Sequence, residues 1–217
     1  MAKIGFIISS LSTCGGEERV VSLIANELSV CHDIIIYTYE SRRAEKGKRN
    51  DYYLSDRIRV EEVDAAGESF FQHGIKLLYH FTGMTSGRLS QYLLKHTFYP
   101  EEHLQQWVRR IKQEDFDLLI GVSGAQTILL GYIKNRISAK CIGWEHSSFE
   151  GYFDQKTGYY RNRMEVYQMC ASKLEQIVVL NQDIADKYAE KLGLQTAVIS
   201  NPKSFASREK ADEAGKC

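Results

Sequence analysis

The sequence has no excess of charge. Lysine plus arginine number 28 and aspartate plus glutamate number 28, so the formal net charge is zero. No global field draws such a chain to nucleic acid or to an anionic surface, and any contact of that kind has to be local. A long apolar run is missing too. No stretch approaches the roughly 20 residues of a spanning helix, and the opening MAKIGFII lacks the long apolar core ending in small residues that marks a secretory leader. The five cysteines (Cys14, Cys31, Cys141, Cys170 and Cys217) are odd in number and widely spaced, with no CxxC or CxxH cluster. That spacing offers neither a zinc site nor a disulfide framework, so reduced thiols in the cytoplasm and no bound metal are the expectation.

What is present is 217 residues, enough for one sizeable α/β domain or two small ones. Short β-branched runs alternate with stretches of helical period, the pattern of a parallel sheet with helices on both faces. Strands are expected at Lys3–Ser9, Asp33–Thr38, Ile58–Val63, Asp117–Val122, Ala139–Trp144, Gln176–Leu180 and Thr196–Ser200. Most are continuously apolar, as buried parallel strands are. Between the first two, Val20, Val21, Leu23, Ile24 and Leu28 recur at three and four and predict one buried helix face.

Two regions depart from this regularity. Arg42–Arg57 is polar and charged, with Tyr52, Tyr53 and Leu54 as its anchors, and reads as an exposed loop. Ser69–Pro100 contains no acidic residue and interleaves Lys76, Arg88 and Lys95 with aromatic and aliphatic residues. It predicts amphipathic helices that pack on the sheet or, through residues 70–99, lie on an anionic bilayer. At the other end Asn201-Pro202 stops regular structure, and residues 203–217 are small and charged, as a linker is.

Three motifs could carry chemistry. In STCGGEERVV, residues 12–21, Gly15 and Gly16 fall between a strand and a helix. The backbone there can turn tightly and offer amide N–H groups to an anion. A third glycine and a GKS or GKT are missing, which excludes the dinucleotide fingerprint and the P-loop. Glu17 and Glu18 read as first-turn acids that complement the helix dipole. In CIGWEHSSFEGYF, residues 141–153, His146 follows directly on a strand end, where open α/β sheets bind ligands. Its imidazole suits a hydrogen bond with a substrate hydroxyl, and a structural role is the alternative. Glu145, Ser147, Ser148 and Glu150 surround it in sequence, and Lys156, Arg161 and Arg163 with Tyr159 and Tyr160 follow as possible phosphate or sugar contacts or as a solvated helix face. In IVVLNQDIADKYAEKLGL, residues 177–194, Asn181 is placed to cap a helix that Gly193 ends. Ser123-Gly124, after the fourth strand, could line a cleft or merely permit a tight turn.

Taken in order, GGEERVVSLIANELS, GWEHSSF and IVVLNQDIADKYAEKLGLQTAVISNP span residues 3–202 together with the first strand. They resemble the amino-terminal domain of a family 4 glycosyltransferase of the GT-B architecture. The resemblance implies two Rossmann-like domains facing a cleft, with residues 1–202 as the acceptor-binding half. It implies that Gly15 and Gly16 approach the donor diphosphate and the acceptor, that His146 contacts the transferred sugar, and that Asn201 and Pro202 form the interdomain crossing. Glu145, Ser147, Ser123 and Arg161 are the further binding candidates. It also implies a nucleotide-diphosphate sugar as donor, a glycan or lipid-linked acceptor, retention at the anomeric carbon, and no cofactor or obligatory metal. The donor-binding arginine and lysine and the paired glutamates of the family have no match here, so this reading is of a domain fragment, inactive alone and completed by a carboxyl-terminal domain. The alternatives are a stand-alone nucleotide- or anion-binding module, a sugar-nucleotide epimerase of similar architecture, and a dinucleotide oxidoreductase with Glu40 as ribose acid, against which the missing glycine argues.

Overall fold

The structure, a computed structural model, describes residues 1–11, 15–39, 54–63, 88–154, 157–160 and 162–202. Residues 12–14, Glu40, most of the 42–57 loop, residues 69–87, Lys156, Arg161 and 203–217 lie outside the described residues.

All seven expected strands form: β1 (Lys3–Ile8), β2 (Asp33–Thr38), β3 (Arg59–Glu62), β4 (Leu118–Val122), β5 (Lys140–Trp144), β6 (Gln176–Val179) and β7 (Thr196–Val198). They make one parallel sheet in the order β3-β2-β1-β4-β5-β6-β7. Among the described residues the α-helices are α1 (Gly16–Leu28), α2 (Arg88–Phe98), α3 (Glu101–Glu114), α4 (Gly124–Ile133), α5 (Phe149–Phe153), α6 (Met164–Ala171) and α7 (Gln182–Leu192).

Side-chain alternation sorts the strands into two cores. Ile4, Phe6, Ile8, Ile34, Ile36, Val122, Trp144 and Val178 face α1, where they meet Val20, Val21 and Ala25. Ile7, Ile35, Tyr37, Leu119, Cys141, Ile177 and Val179 face the other way, against α3, α4, α6 and α7. Burial on both faces is why these strands read as unbroken apolar runs. β3 is the exception. Its residues RVEE are mostly exposed, as an edge strand allows, so the expected Ile58–Val63 run contracts to four residues.

The helices begin and end for local reasons. In α3 the apolar residues Leu104, Trp107 and Ile111 form a buried stripe, and Trp107 packs edge-on to Tyr37 with ring centroids 5.5 Å apart. The Asn181 side chain accepts a hydrogen bond from the Ile184 N–H (3.0 Å) at the start of α7, and Gly193 ends that helix at φ 63°. In α1 the most buried residues are Val20, Val21, Ser22 and Ala25. The expected Leu23, Ile24 and Leu28 are half-buried. Leu54 packs against the α1-side core, and the Ser55 N–H donates to Asn26 Oδ1 (2.8 Å), so the end of the charged loop is tied to α1.

The sheet order has a functional consequence. From β1 the chain moves outward to β2 and β3, then crosses back to place β4 on the other side of β1. The connections therefore leave β1 and β4 in opposite directions and open a crevice at their carboxyl ends, the switch point where open α/β sheets take ligands.

Candidate functional site at the switch point

Three segments far apart in sequence meet at this crevice: the turn from β1 into α1, the turn from β4 into α4, and the residues that follow β5. Two side-chain bonds stitch the first pair. The Gln126 amide donates to Ser9 Oγ (3.0 Å), and Ser123 Oγ donates to Glu17 Oε1 (2.7 Å). The third segment joins through the backbone, where the Ser123 N–H donates to the Trp144 carbonyl (2.9 Å).

Gly15 is the N-cap of α1 and, having no side chain, offers no cap of its own. Glu18 stands at the third helical position, from which a glutamate reaches back over the N-cap. A Cβ added to Gly15 would lie 2.1 Å from Glu18 Oε2. Gly15 thus leaves room for the Glu18 carboxylate, while a Cβ on Gly16 would meet nothing within 4 Å. The paired glutamates divide the work: Glu18 covers the helix start and Glu17 turns to the crevice. Burial raises the Glu17 pKa, the Ser123 hydrogen bond opposes that shift, and the Glu18 charge adds to it. Reading Glu17 as a helix-start residue alone missed this, because no local signal announces a partner 106 residues away.

Ser123 is buried at 8 % exposure and has φ 74° and ψ 161°, a conformation that side chains other than glycine rarely adopt. The strain aims its hydroxyl at Glu17. Gly124 follows at the start of α4, and the Ala125 N–H donates to the Tyr160 hydroxyl (3.1 Å).

His146 lies two residues beyond the end of β5 at Trp144. Its ring packs on Trp144 with centroids 4.5 Å apart, and the His146 backbone N–H donates to the Tyr152 hydroxyl (3.4 Å). Both ring nitrogens are buried and have no hydrogen-bond partner among the described residues. Burial pushes the imidazole pKa down to about 4, so the ring is neutral near pH 7, with one nitrogen to donate and one to accept.

The other sequence candidates separate. Glu145 is fully buried: its Oε1 accepts from Thr127 Oγ1 (2.6 Å) and from the Tyr167 hydroxyl (2.7 Å), away from solvent. Burial raises its pKa to about 7, against the pull of those hydroxyl bonds. Ser147 is half-buried beside α5, and Ser148 caps that helix by accepting from the Gly151 N–H (3.0 Å). Glu150 pairs with Lys187. Arg163 stacks its guanidinium 3.8 Å above the Phe98 ring. Asn201 and Pro202 close the described chain just past β7, on the far edge of the sheet. Among the described residues no three His, Cys, Asp or Glu side chains gather as a metal-ligand set. A cavity of about 520 Å³ lies elsewhere, lined by Val63, Gln106, Trp107, Arg109, Arg110 and Gln113. It shares no residue with the crevice.

No protein-family model matches the sequence, and no curated protein matches it. Solved structures do share its shape. Sucrose-phosphate synthase from Thermosynechococcus elongatus superposes with a TM-score of 0.61 at 12 % identity, over 92 % of this chain and 48 % of that one. HepE of Anabaena, solved with UDP and glucose, gives 0.58 at 14 % identity, over 93 % and 44 %. The lipopolysaccharide outer core galactosyltransferase WaaB gives 0.56 at 15 % identity, over 94 % and 47 %. The chain therefore has the Rossmann-like α/β fold that forms one half of GT-B glycosyltransferases, and it spans about half the length of these neighbours.

Proposed function

We propose that the chain is the amino-terminal, acceptor-facing half of a retaining glycosyltransferase of family 4, which moves a sugar from a nucleotide diphosphate to a glycan or lipid-linked acceptor. One observation carries the reading: on a sheet of this fold, the glycine turn, Ser123 and His146 converge at the switch point, with a hydrogen bond of 2.7 Å between the first two segments.

The residues suit the parts of such a reaction that fall to this half. The neutral His146 ring can exchange a hydrogen bond with a sugar hydroxyl without adding charge. Glu17, oriented by Ser123, can accept from a second hydroxyl. The Gly15-Gly16 turn lets a ligand approach the backbone of the first turn of α1. A carboxylate turned into the crevice repels free anions, which weighs against a stand-alone anion-binding module. In this reading the donor nucleotide and the catalytic carboxylates are held by a second domain beyond Asn201-Pro202, no metal or cofactor is obligatory, and the chain alone is inactive. In this reading the enzyme works in the cytoplasm, and any membrane contact of the 70–99 stretch spares Leu94 and Tyr99, which are buried in the core; among the described residues no helix is long and apolar enough to cross a membrane.

The test uses the protein made from the full natural reading frame. It is incubated with UDP- and GDP-sugars and a lipid-linked or oligosaccharide acceptor pool, and nucleoside diphosphate release and labelled product are measured. Acceptor-dependent release that falls at least a hundredfold in H146A supports the reading. Tight calorimetric binding of a nucleotide sugar by the 217-residue chain, without acceptor-dependent release by the full-length protein, refutes it. Co-sedimentation that does not depend on anionic lipid removes the membrane contact.

A further inference from the structure

A buried carboxylate is an expensive way to fill a core, because an apolar side chain of similar size avoids its desolvation. Glu145 is such a carboxylate. It is fully buried, and the groups that act on it are the hydroxyls of Thr127, Tyr167 and Tyr152, with the Glu17 carboxylate opposing its ionisation. Tyr160 and Tyr188 feel its charge in turn. No cation is among them.

The surrounding backbone is arranged to reach it. A Cβ on Gly143 would lie 2.5 Å from Thr127 Oγ1, so the missing side chain lets α4 settle on β5 and brings Thr127 to the carboxylate. On the other side of α4, a Cβ on Gly131 would lie 2.5 Å from the Cys170 carbonyl oxygen and 2.6 Å from its Cα. That contact lets α6 close on α4, with Tyr167 one turn before Cys170. Meanwhile the Glu145 N–H donates to the Val178 carbonyl (2.9 Å), which extends the β5–β6 ladder one residue past Trp144. Alternation then decides the directions. Glu145 points with Cys141 toward α4 and α6, and His146 points with Trp144 to the opposite face, toward the α1 side.

We propose that Glu145 is a positioning residue: held by Thr127 and Tyr167, it locks the end of β5 so that His146 presents its ring to the crevice. This rests on the reading of His146 as the group that faces the sugar, but its test needs no ligand and no transfer, so the two fail separately. Because Glu145 changes charge close to neutrality, the lock is pH-sensitive, and His146 senses it while itself remaining uncharged.

The experiment follows the His146 ring resonances of the isotopically labelled full chain from pH 5 to 8.5 in wild type, E145Q, E145L, T127V and Y167F. In wild type the ring signals shift with a midpoint near 7 without the change that marks ring protonation. E145Q, which keeps the shape and one acceptor oxygen, retains the low-pH positions and loses the inflection. T127V and Y167F displace the ring signals and raise the pH at which the ring takes a proton, and E145L displaces them although its urea midpoint is no lower than wild type. Unchanged ring signals in T127V and Y167F, or an inflection that persists in E145Q, overturn the proposal whatever happens to stability. Should E145L fail to fold, the two hydroxyl deletions decide.

Discussion

Ser123 gives its hydroxyl hydrogen to Glu17 across 2.7 Å, and it does so from a backbone at φ 74°. Holding a serine there costs on the order of 1–3 kcal/mol. S123G releases that strain and S123A keeps it, while both lose the hydroxyl. In urea denaturation S123G is expected to be at least as stable as S123A, and S123A to fall below wild type by about 1–2 kcal/mol. An S123A clearly more stable than S123G would contradict the strain.

The neighbouring glutamates should separate in the same assay. E18A removes the carboxylate lying over Gly15 and is expected to cost about 1 kcal/mol, as the loss of a helix-start cap does. E17Q leaves the helix start alone and changes stability little; on the proposed function it is expected to lower sugar transfer by the full-length protein about tenfold, the scale of one hydrogen bond to a charged group. G15A pushes the Glu18 carboxylate away, so its cost and that of E18A should not add.

Two glycine-to-alanine changes are expected to have opposite signs. G131A drives a methyl into the Cys170 backbone, which cannot yield as a flexible side chain can, and should cost about 1–3 kcal/mol. G16A meets nothing within 4 Å and should stabilise the first turn of α1 by about 0.5–1 kcal/mol. On the proposed function, with Gly16 where a ligand approaches the backbone, the stabilised full-length G16A protein is expected to transfer sugar more slowly than wild type.

Acid and base should act on stability through two buried groups with opposite slopes. Glu145 has a folded pKa raised to about 7, so its contribution is fully present below the usual carboxylate range and is lost as pH rises from about 4.5 to about 7. His146 has a folded pKa lowered to about 4, so its contribution is present above about 6.5 and is lost as pH falls toward 4. Between those limits the two partly cancel in wild type. E145Q removes the loss on the alkaline side and H146A the loss on the acid side, so urea midpoints from pH 4 to 8 should diverge in opposite directions. Parallel profiles for the two variants would show that neither group titrates as its burial dictates.

Much of the fold was legible because burial on both faces leaves a plain mark: most of the seven expected strands are short apolar runs, and all seven form. Asn181 and Gly193 were legible as cap and stop because capping is a local transaction between a side chain and the backbone beside it. His146 could be placed at a strand end by counting. Glu145 could not be assigned its buried position from its neighbours His146 and Ser147, although one signal was available. It shares the parity of Cys141 and Gly143, and a ladder that continues one residue past Trp144 carries it into the core. Glu17 had no comparable signal, since acidic residues are common in any first helical turn.

By itself the sequence determined the elements, their parallel pairing into an α/β layer, and the glycine pair's exclusion from the dinucleotide and P-loop grips, because periodicity, turn chemistry and spacing act within a few residues. The strand order was decided only in three dimensions, by which apolar faces could be buried together. That order puts β4 beside β1, brings Ser123 to Glu17, and sends Glu145 inward while His146 turns to the crevice, since contacts over a hundred residues of chain are settled by packing and not by local preference.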